Sequence, residues 1–101
     1  MDSYVKVNIE WIKPHIELYH VPDEGTKFCP QIKFEEEGDK LPQWTAEIII
    51  KNNISQSLCT GYLRYLFEQA PDYLLKKGKR FVVYDGPFPI ANGEVLTDLT
   101  K

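Results

Sequence analysis

Two cysteines and two histidines are the residues whose chemistry could support catalysis or metal binding: Cys29, Cys59, His15 and His20. A thiol becomes a nucleophile when a neighbouring base or positive charge lowers its pKa, and a structural zinc site usually takes two ligands from one turn. The chain has no Cys-x-x-Cys pair and no His-x-x-x-His pair to supply them. We therefore predict no catalytic residue, metal site, cofactor or disulfide. A small thiol enzyme is kept as an alternative function.

The charged residues form one acidic run and one basic cluster. Glu35, Glu36, Glu37 and Asp39 are predicted to lie in a solvated turn. The residues that could contact RNA are Arg64, Lys76, Lys77, Lys79 and Arg80. The net charge is −3, whereas nucleic-acid binders gain most of their non-specific affinity from clustered Lys and Arg. An RNA-contacting module is therefore the disfavoured alternative.

The composition predicts one globular domain covering residues 1–101. Hydrophobic residues make up 43% of the chain and charged residues 27%, close to the averages for such domains. Purely apolar runs such as 48–50 are far shorter than a membrane span, and the first residues do not resemble a signal peptide. We expect a cytoplasmic protein that does not bind membranes.

Alternation of apolar and polar residues predicts six short strands. In the first, residues 4–13, the side chains of Val5, Val7, Ile9 and Trp11 share one face. The other strands are predicted at 31–34, 44–51, 58–67, 79–84 and 90–96. Strands 31–34 and 44–51 are expected to pair.

Turn residues predict the connections between these strands. Residues 15–30 are read as a long loop, in which 16–19 could add a short strand. Asn52–Asn53 predicts a turn, Asn92–Gly93 predicts a hairpin within the last strand, and 71–78 predicts one helical turn. The fold expected is all-β: a small closed six-stranded Greek-key-type barrel with one short helical turn, because closure removes exposed strand edges. The predicted shared core is Trp11, Trp44, Ile48, Leu63, Phe81 and Val83.

In that order of strands, several segments resemble the C-terminal (third) β-barrel domain of elongation factor Tu. The segment Val5–Ile12 resembles that domain's first strand, and Phe28-Cys29-Pro30-Gln31-Ile32-Lys33-Phe34 resembles its aromatic-x-Pro-Gln-aromatic-x-Phe pattern. Residues 78–86 and 90–96 resemble its closing hairpin, where Gly-x-Arg-Phe leads to a glycine turn and a Gly-x-Val return. The resemblance covers most of the chain and implies the same barrel.

The resemblance also implies what this chain lacks. In the family, a basic glycine-rich hairpin and a His-Thr-Pro loop help to hold transfer RNA. Here the hairpin turn 85–89 has no arginine, only His20 and Pro22 match the loop, and Cys29 stands where the family has arginine. No Walker-type phosphate loop is present, so we expect no nucleotide binding and no GTP hydrolysis.

These observations favour a non-enzymatic binding module with a protein partner. Function in such barrels is usually carried by loops. A turn-tip phenylalanine between two prolines is hard to bury, so it is either tucked over the barrel mouth or presented to a partner. By analogy, a regulatory or immunity-type role falls in this class. The candidate contact residues are His20, Pro22, Pro30, Gln31, Pro87, Phe88 and Pro89.

Overall fold

Seven β-strands and one turn of 3-10 helix make up the regular structure in the computed structural model, which describes residues 4–12, 22–35, 43–70 and 72–99. The strands are β1 (Val5–Trp11), β2 (Lys27–Phe28), β3 (Gln31–Phe34), β4 (Trp44–Asn53), β5 (Leu58–Tyr65), β6 (Arg80–Asp85) and β7 (Phe88–Val95). The 3-10 turn is Asp72–Leu74, within the segment predicted to form one helical turn.

Six of these strands close into an antiparallel barrel. The ring runs β1-β5-β4-β3-β6-β7 and returns to β1, while β2 pairs only with β4 and lies outside the ring. Strands β3, β4 and β5 are neighbours in succession, and β6 returns through residues 66–79 to pair with β3. This is the Greek-key order, so the predicted fold is confirmed, with β2 as an addition.

Strict alternation of side chains builds the core. In β1, the alternating Val5, Val7, Ile9 and Trp11 are all buried, as predicted. The other predicted core residues Ile48, Leu63, Phe81 and Val83 are buried as well. Trp44 is the exception and is only half-buried, because it is the first residue of β4 and lies at the rim beside the exposed Phe67.

The strand registers define two ends of the barrel. The pairs Glu10↔Leu58 and Trp11↔Ala91 place the end of β1 beside the start of β5 and the first half of β7. We call this the Phe88 end, and it carries the turns at 54–57 and 86–87. The opposite end carries residues 76–80, and we call it the lysine end. Trp11 and Phe28, whose ring centroids are 6.1 Å apart, pack at the Phe88 end, and Leu74 and Leu75 join the core from the connection at the lysine end.

Two glycines allow close approaches in the barrel wall. Gly61 on β5 lies opposite the β4 irregularity between Ile50 and Asn52, and a Cβ at Gly61 would overlap the carbonyl oxygen of Ile49. Gly93 lies beneath the ring of the buried Phe81, its partner across the β6–β7 pair.

Three sequence predictions about connections were wrong. Asn92–Gly93 does not form a hairpin, since both residues lie inside β7 and Gly93 makes room for the Phe81 ring. Asn52–Asn53 does not form a turn, because β4 runs through Asn53 and the chain reverses at 54–57. The predicted loop 15–30 contains β2, whereas the suggested strand at 16–19 lies outside the described residues.

In the ranges that the structure describes, no helix is long and apolar enough to cross a membrane.

Candidate functional site

The β6–β7 hairpin presents Phe88 to solvent. The chain reverses at Gly86–Pro87, where Gly86 has a φ of 59°. Phe88 pairs with Asp85 and Pro89 with Tyr84, after a register shift between Val83 and Tyr84. Phe88 is 69% exposed and Pro89 is exposed too, so both faces of β7 are in solvent here. Of the two outcomes considered from sequence, the structure shows a presented Phe88 rather than one tucked over the barrel mouth.

Pro30 and Gln31 lie at the same end, across β6 from this tip. Gln31 pairs with Tyr84, which in turn pairs with Pro89. The carbonyl of Pro30 accepts a hydrogen bond from the Ala46 N–H at 2.9 Å, which fixes the bend between β2 and β3. Gln31 is exposed and Pro30 is half-buried. The Pro-Gln segment and the hairpin tip are therefore separated by one strand.

Pro22 is held at this end by the end of β4. The Asn53 side-chain amide donates to the Pro22 carbonyl at 3.2 Å, and the Asn53 backbone N–H donates to Glu24 Oε2 at 2.9 Å. The next residue, Ile54, is 59% exposed. Six of the seven predicted partner contacts thus share one end of the barrel, and His20 lies outside the described residues.

Four of the five predicted RNA contacts lie at the lysine end. Lys76, Lys77 and Arg80 are exposed, and Lys79 is half-buried. The turn that carries them is fixed because the Gly78 N–H donates to the Val95 carbonyl at 2.8 Å, and the Lys77 N–H donates to Asp98 Oδ1 at 2.8 Å.

Acidic residues lie beside Arg80, one member of this basic cluster. Arg80 lines a polar groove of about 370 Å³ on the outer wall, together with the carboxylates of Glu10, Glu35 and Glu94. With three carboxylates against one guanidinium, the groove repels phosphate rather than attracting it. Within the described part of the chain, this groove therefore does not extend the basic cluster into a track for nucleic acid.

Arg64 is separated from the other basic residues and is neutralised. It lies opposite Glu47 across β4–β5, with Arg64 Nε 3.1 Å from Glu47 Oε1. The Tyr4 hydroxyl donates to the same Glu47 oxygen, and the Arg64 guanidinium lies 5.4 Å from the centroid of the Tyr4 ring. Arg64 and Tyr4 lower the pKa of Glu47, and the hydrogen bond to Glu47 raises the pKa of Tyr4. Arg64 thus contacts Glu47 and Tyr4 of the same chain.

Sequence reasoning missed this Tyr4–Glu47–Arg64 cluster and the exposed Ile54. Glu47 is only 7% exposed, and its position just before three isoleucines was a signal that it needs a partner. Identifying Arg64 as that partner required the β4–β5 register, which the sequence does not provide.

The cysteines do not form a common centre with each other. Cys29 is exposed and Cys59 is buried inside the barrel wall. Burial raises the pKa of the Cys59 thiol, which opposes thiolate formation. Both histidines lie outside the described residues. Within the described part of the chain, no three His, Cys, Asp or Glu residues are arranged to hold a metal ion.

No protein-family model matches this sequence, and no curated protein matches it.

Proposed function

We propose that this domain is a non-enzymatic binding module whose protein partner docks on the Phe88 end. The observation that carries the proposal is Phe88 itself, a large aromatic side chain that is 69% exposed on a hairpin fixed by backbone pairing. Aromatic anchors on rigid elements dominate many protein interfaces because little conformational entropy is lost when they bind.

The neighbours of Phe88 support the same function. Pro87 and Pro89 lack a backbone N–H and restrict the hairpin tip, so the free form of the tip is close to a bound form. Ile54 adds a second exposed apolar side chain at this end. Exposed apolar side chains of this kind suit a protein better than a nucleic acid, and the exposed Asp85 paired with Phe88 places a negative charge there that opposes phosphate.

The resemblance to the third domain of elongation factor Tu supplies a context for this proposal. A relative of that barrel without the family's arginine positions would act by contacting a protein, in a regulatory or immunity-type role. The raised pKa of the Cys59 thiol disfavours the thiol-enzyme alternative.

The test is a comparative capture from lysate of the native cells with immobilised wild-type protein, Phe88→Ala and Tyr73→Ala. Tyr73 is the matched control because it is an aromatic residue with 63% exposure away from the Phe88 end. We expect a protein whose recovery falls at least about tenfold with Phe88→Ala and stays unchanged with Tyr73→Ala. Equal recovery by all three proteins would contradict the proposal.

A further inference from the structure

Strand β2 provides an unpaired sheet edge at the Phe88 end. Each of the six ring strands has neighbours on both sides, whereas β2 has β4 alone among the described strands. Closure of the barrel therefore leaves this one short edge at which another strand could add.

Backbone hydrogen bonds show which groups of β2 face outward. The Thr26 carbonyl accepts from the Ile50 N–H at 2.8 Å, and the Pro30 carbonyl accepts from the Ala46 N–H at 2.9 Å. In an extended strand, the N–H and C=O groups of successive residues point to opposite sides. Phe28 therefore faces β4 with Thr26 and Pro30, and the backbone groups of Lys27 and Cys29 face away. Neither residue makes an outward backbone hydrogen bond to the described residues.

Among the described residues, no strand lies beside the edge of β2 that faces away from β4. Strand β6 pairs with β3 as far as Gln31↔Tyr84, and the chain then turns away at Gly86–Pro87. Lys27 and Cys29 are exposed. The hairpin tip that carries Phe88 directly follows the end of β6. A strand that continued the direction of β6 would meet β2 along its edge and Phe88 at its end.

We infer that the partner binds through an extended segment that pairs with the outward backbone groups of Lys27 and Cys29 and places an apolar side chain against Phe88. This inference rests on the proposed function and specifies the form of the partner. Only another extended backbone supplies donors and acceptors at the spacing of this edge. A second copy of the chain is disfavoured because edge-to-edge pairing would bring two copies of Lys27 close together.

The test uses a phage-displayed library of random dodecapeptides selected on the full chain. Affinities of selected peptides are then measured by fluorescence anisotropy for wild type, Lys27→Pro, Lys27→Ala and Phe88→Ala. Proline at position 27 removes the outward N–H without removing a bond to β4, and alanine keeps that N–H while removing the charge. We expect binding to weaken at least about tenfold with Lys27→Pro and with Phe88→Ala, and less than about threefold with Lys27→Ala.

Amide hydrogen exchange on the wild-type protein provides a second readout that does not depend on any variant folding. Without peptide, the amides of Lys27 and Cys29 should exchange much faster than that of Phe28, and peptide should slow both at least about tenfold. Peptides that depend on Phe88 but bind Lys27→Pro normally, with no slowing at Lys27 and Cys29, would overturn this inference and leave the proposed function standing. Peptides that depend on neither residue, or a selection without binders, would count against both.

Discussion

The two ends of the barrel differ in what they expose. The Phe88 end presents Phe88, Ile54 and two prolines on turns held by backbone pairing, with the polar Gln31 nearby. The lysine end presents Lys76, Lys77 and Arg80 beside acidic groups such as Asp98 and Glu94. Basic and acidic side chains are mixed at the lysine end, whereas the Phe88 end combines exposed apolar side chains with the exposed acidic Asp85 and Glu24.

Exposure of an aromatic side chain alone does not distinguish the proposed binding end from the other end. Tyr73, beside the connection to the lysine end, is almost as exposed as Phe88, and Phe67 packs 6.4 Å from the half-buried Trp44 between ring centroids. What distinguishes Phe88 is its place on a rigid hairpin next to the unpaired edge of β2. The comparison therefore rests on arrangement rather than on residue type.

The largest expected effect is a loss of stability of the whole barrel, which carries both ends. Gly61→Ala places a methyl group against the carbonyl of Ile49, and because the clash is with backbone, the β4–β5 pair must separate. We expect the free energy of unfolding to fall by about 3 kcal/mol in urea denaturation. The half-buried neighbour Thr60, changed to Ala, should cost less than about 1 kcal/mol. Equal stabilities of the two variants would show that the close approach is not there.

A second pair of variants distinguishes a side chain that stabilises the fold from one that is exposed at the surface. Leu75 is buried and joins the core from the lysine-end connection, so Leu75→Ala should lower the free energy of unfolding by about 3 kcal/mol. Phe88→Ala should change it by less than about 0.5 kcal/mol, because little of the ring is buried. Thermal unfolding of both variants measures the difference. A large loss of stability in Phe88→Ala would mean that Phe88 supports the fold.

The pH dependence of the free energy of unfolding tests the Tyr4–Glu47–Arg64 cluster. The folded state lowers the pKa of Glu47, so its contribution is complete above the unfolded value of about 4.5 and is lost as pH falls through the folded pKa. Tyr4 has a raised pKa, so its contribution is present below about pH 10 and is lost as pH rises through the folded value. Glu47→Gln should flatten the acid limb of the denaturation profile. An unchanged acid limb would show that Arg64 is not held by Glu47.

The smallest expected effect concerns nucleic acid at the lysine end. The predicted RNA contacts there are Lys76, Lys77, Lys79 and Arg80, and carboxylates line the groove beside Arg80. We expect weak transfer RNA binding at low salt that disappears near physiological ionic strength, as measured by fluorescence titration. Submicromolar binding at physiological salt that is lost when the four are replaced would reverse the ranking of the two ends.

Much of the fold was predictable because the alternation of apolar and polar residues indicates which side chains of each strand are buried. The buried row of β1 and the core residues Ile48, Leu63, Phe81 and Val83 follow from period-2 patterns in the sequence. Asn92–Gly93 misled because its local turn preference is outweighed by tertiary packing, in which the Phe81 ring needs a glycine opposite.

The candidate residues were proposed from the sequence, but their arrangement in space could not be predicted from it. Pro30, Gln31 and Phe88 were singled out for turn position and resemblance, yet their common location depends on which strands are neighbours. Strand β2 was missed because a two-residue strand has no periodicity, and its edge is defined only by hydrogen bonds to β4. Pairing between distant strands is the information that a single sequence does not display.

Photo-crosslinking at the two exposed aromatic positions tests the central claim most directly. A benzoylphenylalanine residue is introduced in place of Phe88 or, as the control, in place of Tyr73, and the native cells are irradiated. We predict a discrete covalent adduct with one protein from position 88 and none from position 73. Adducts from position 73 alone, or nucleic acid in place of protein at either position, would contradict a protein-binding Phe88 end.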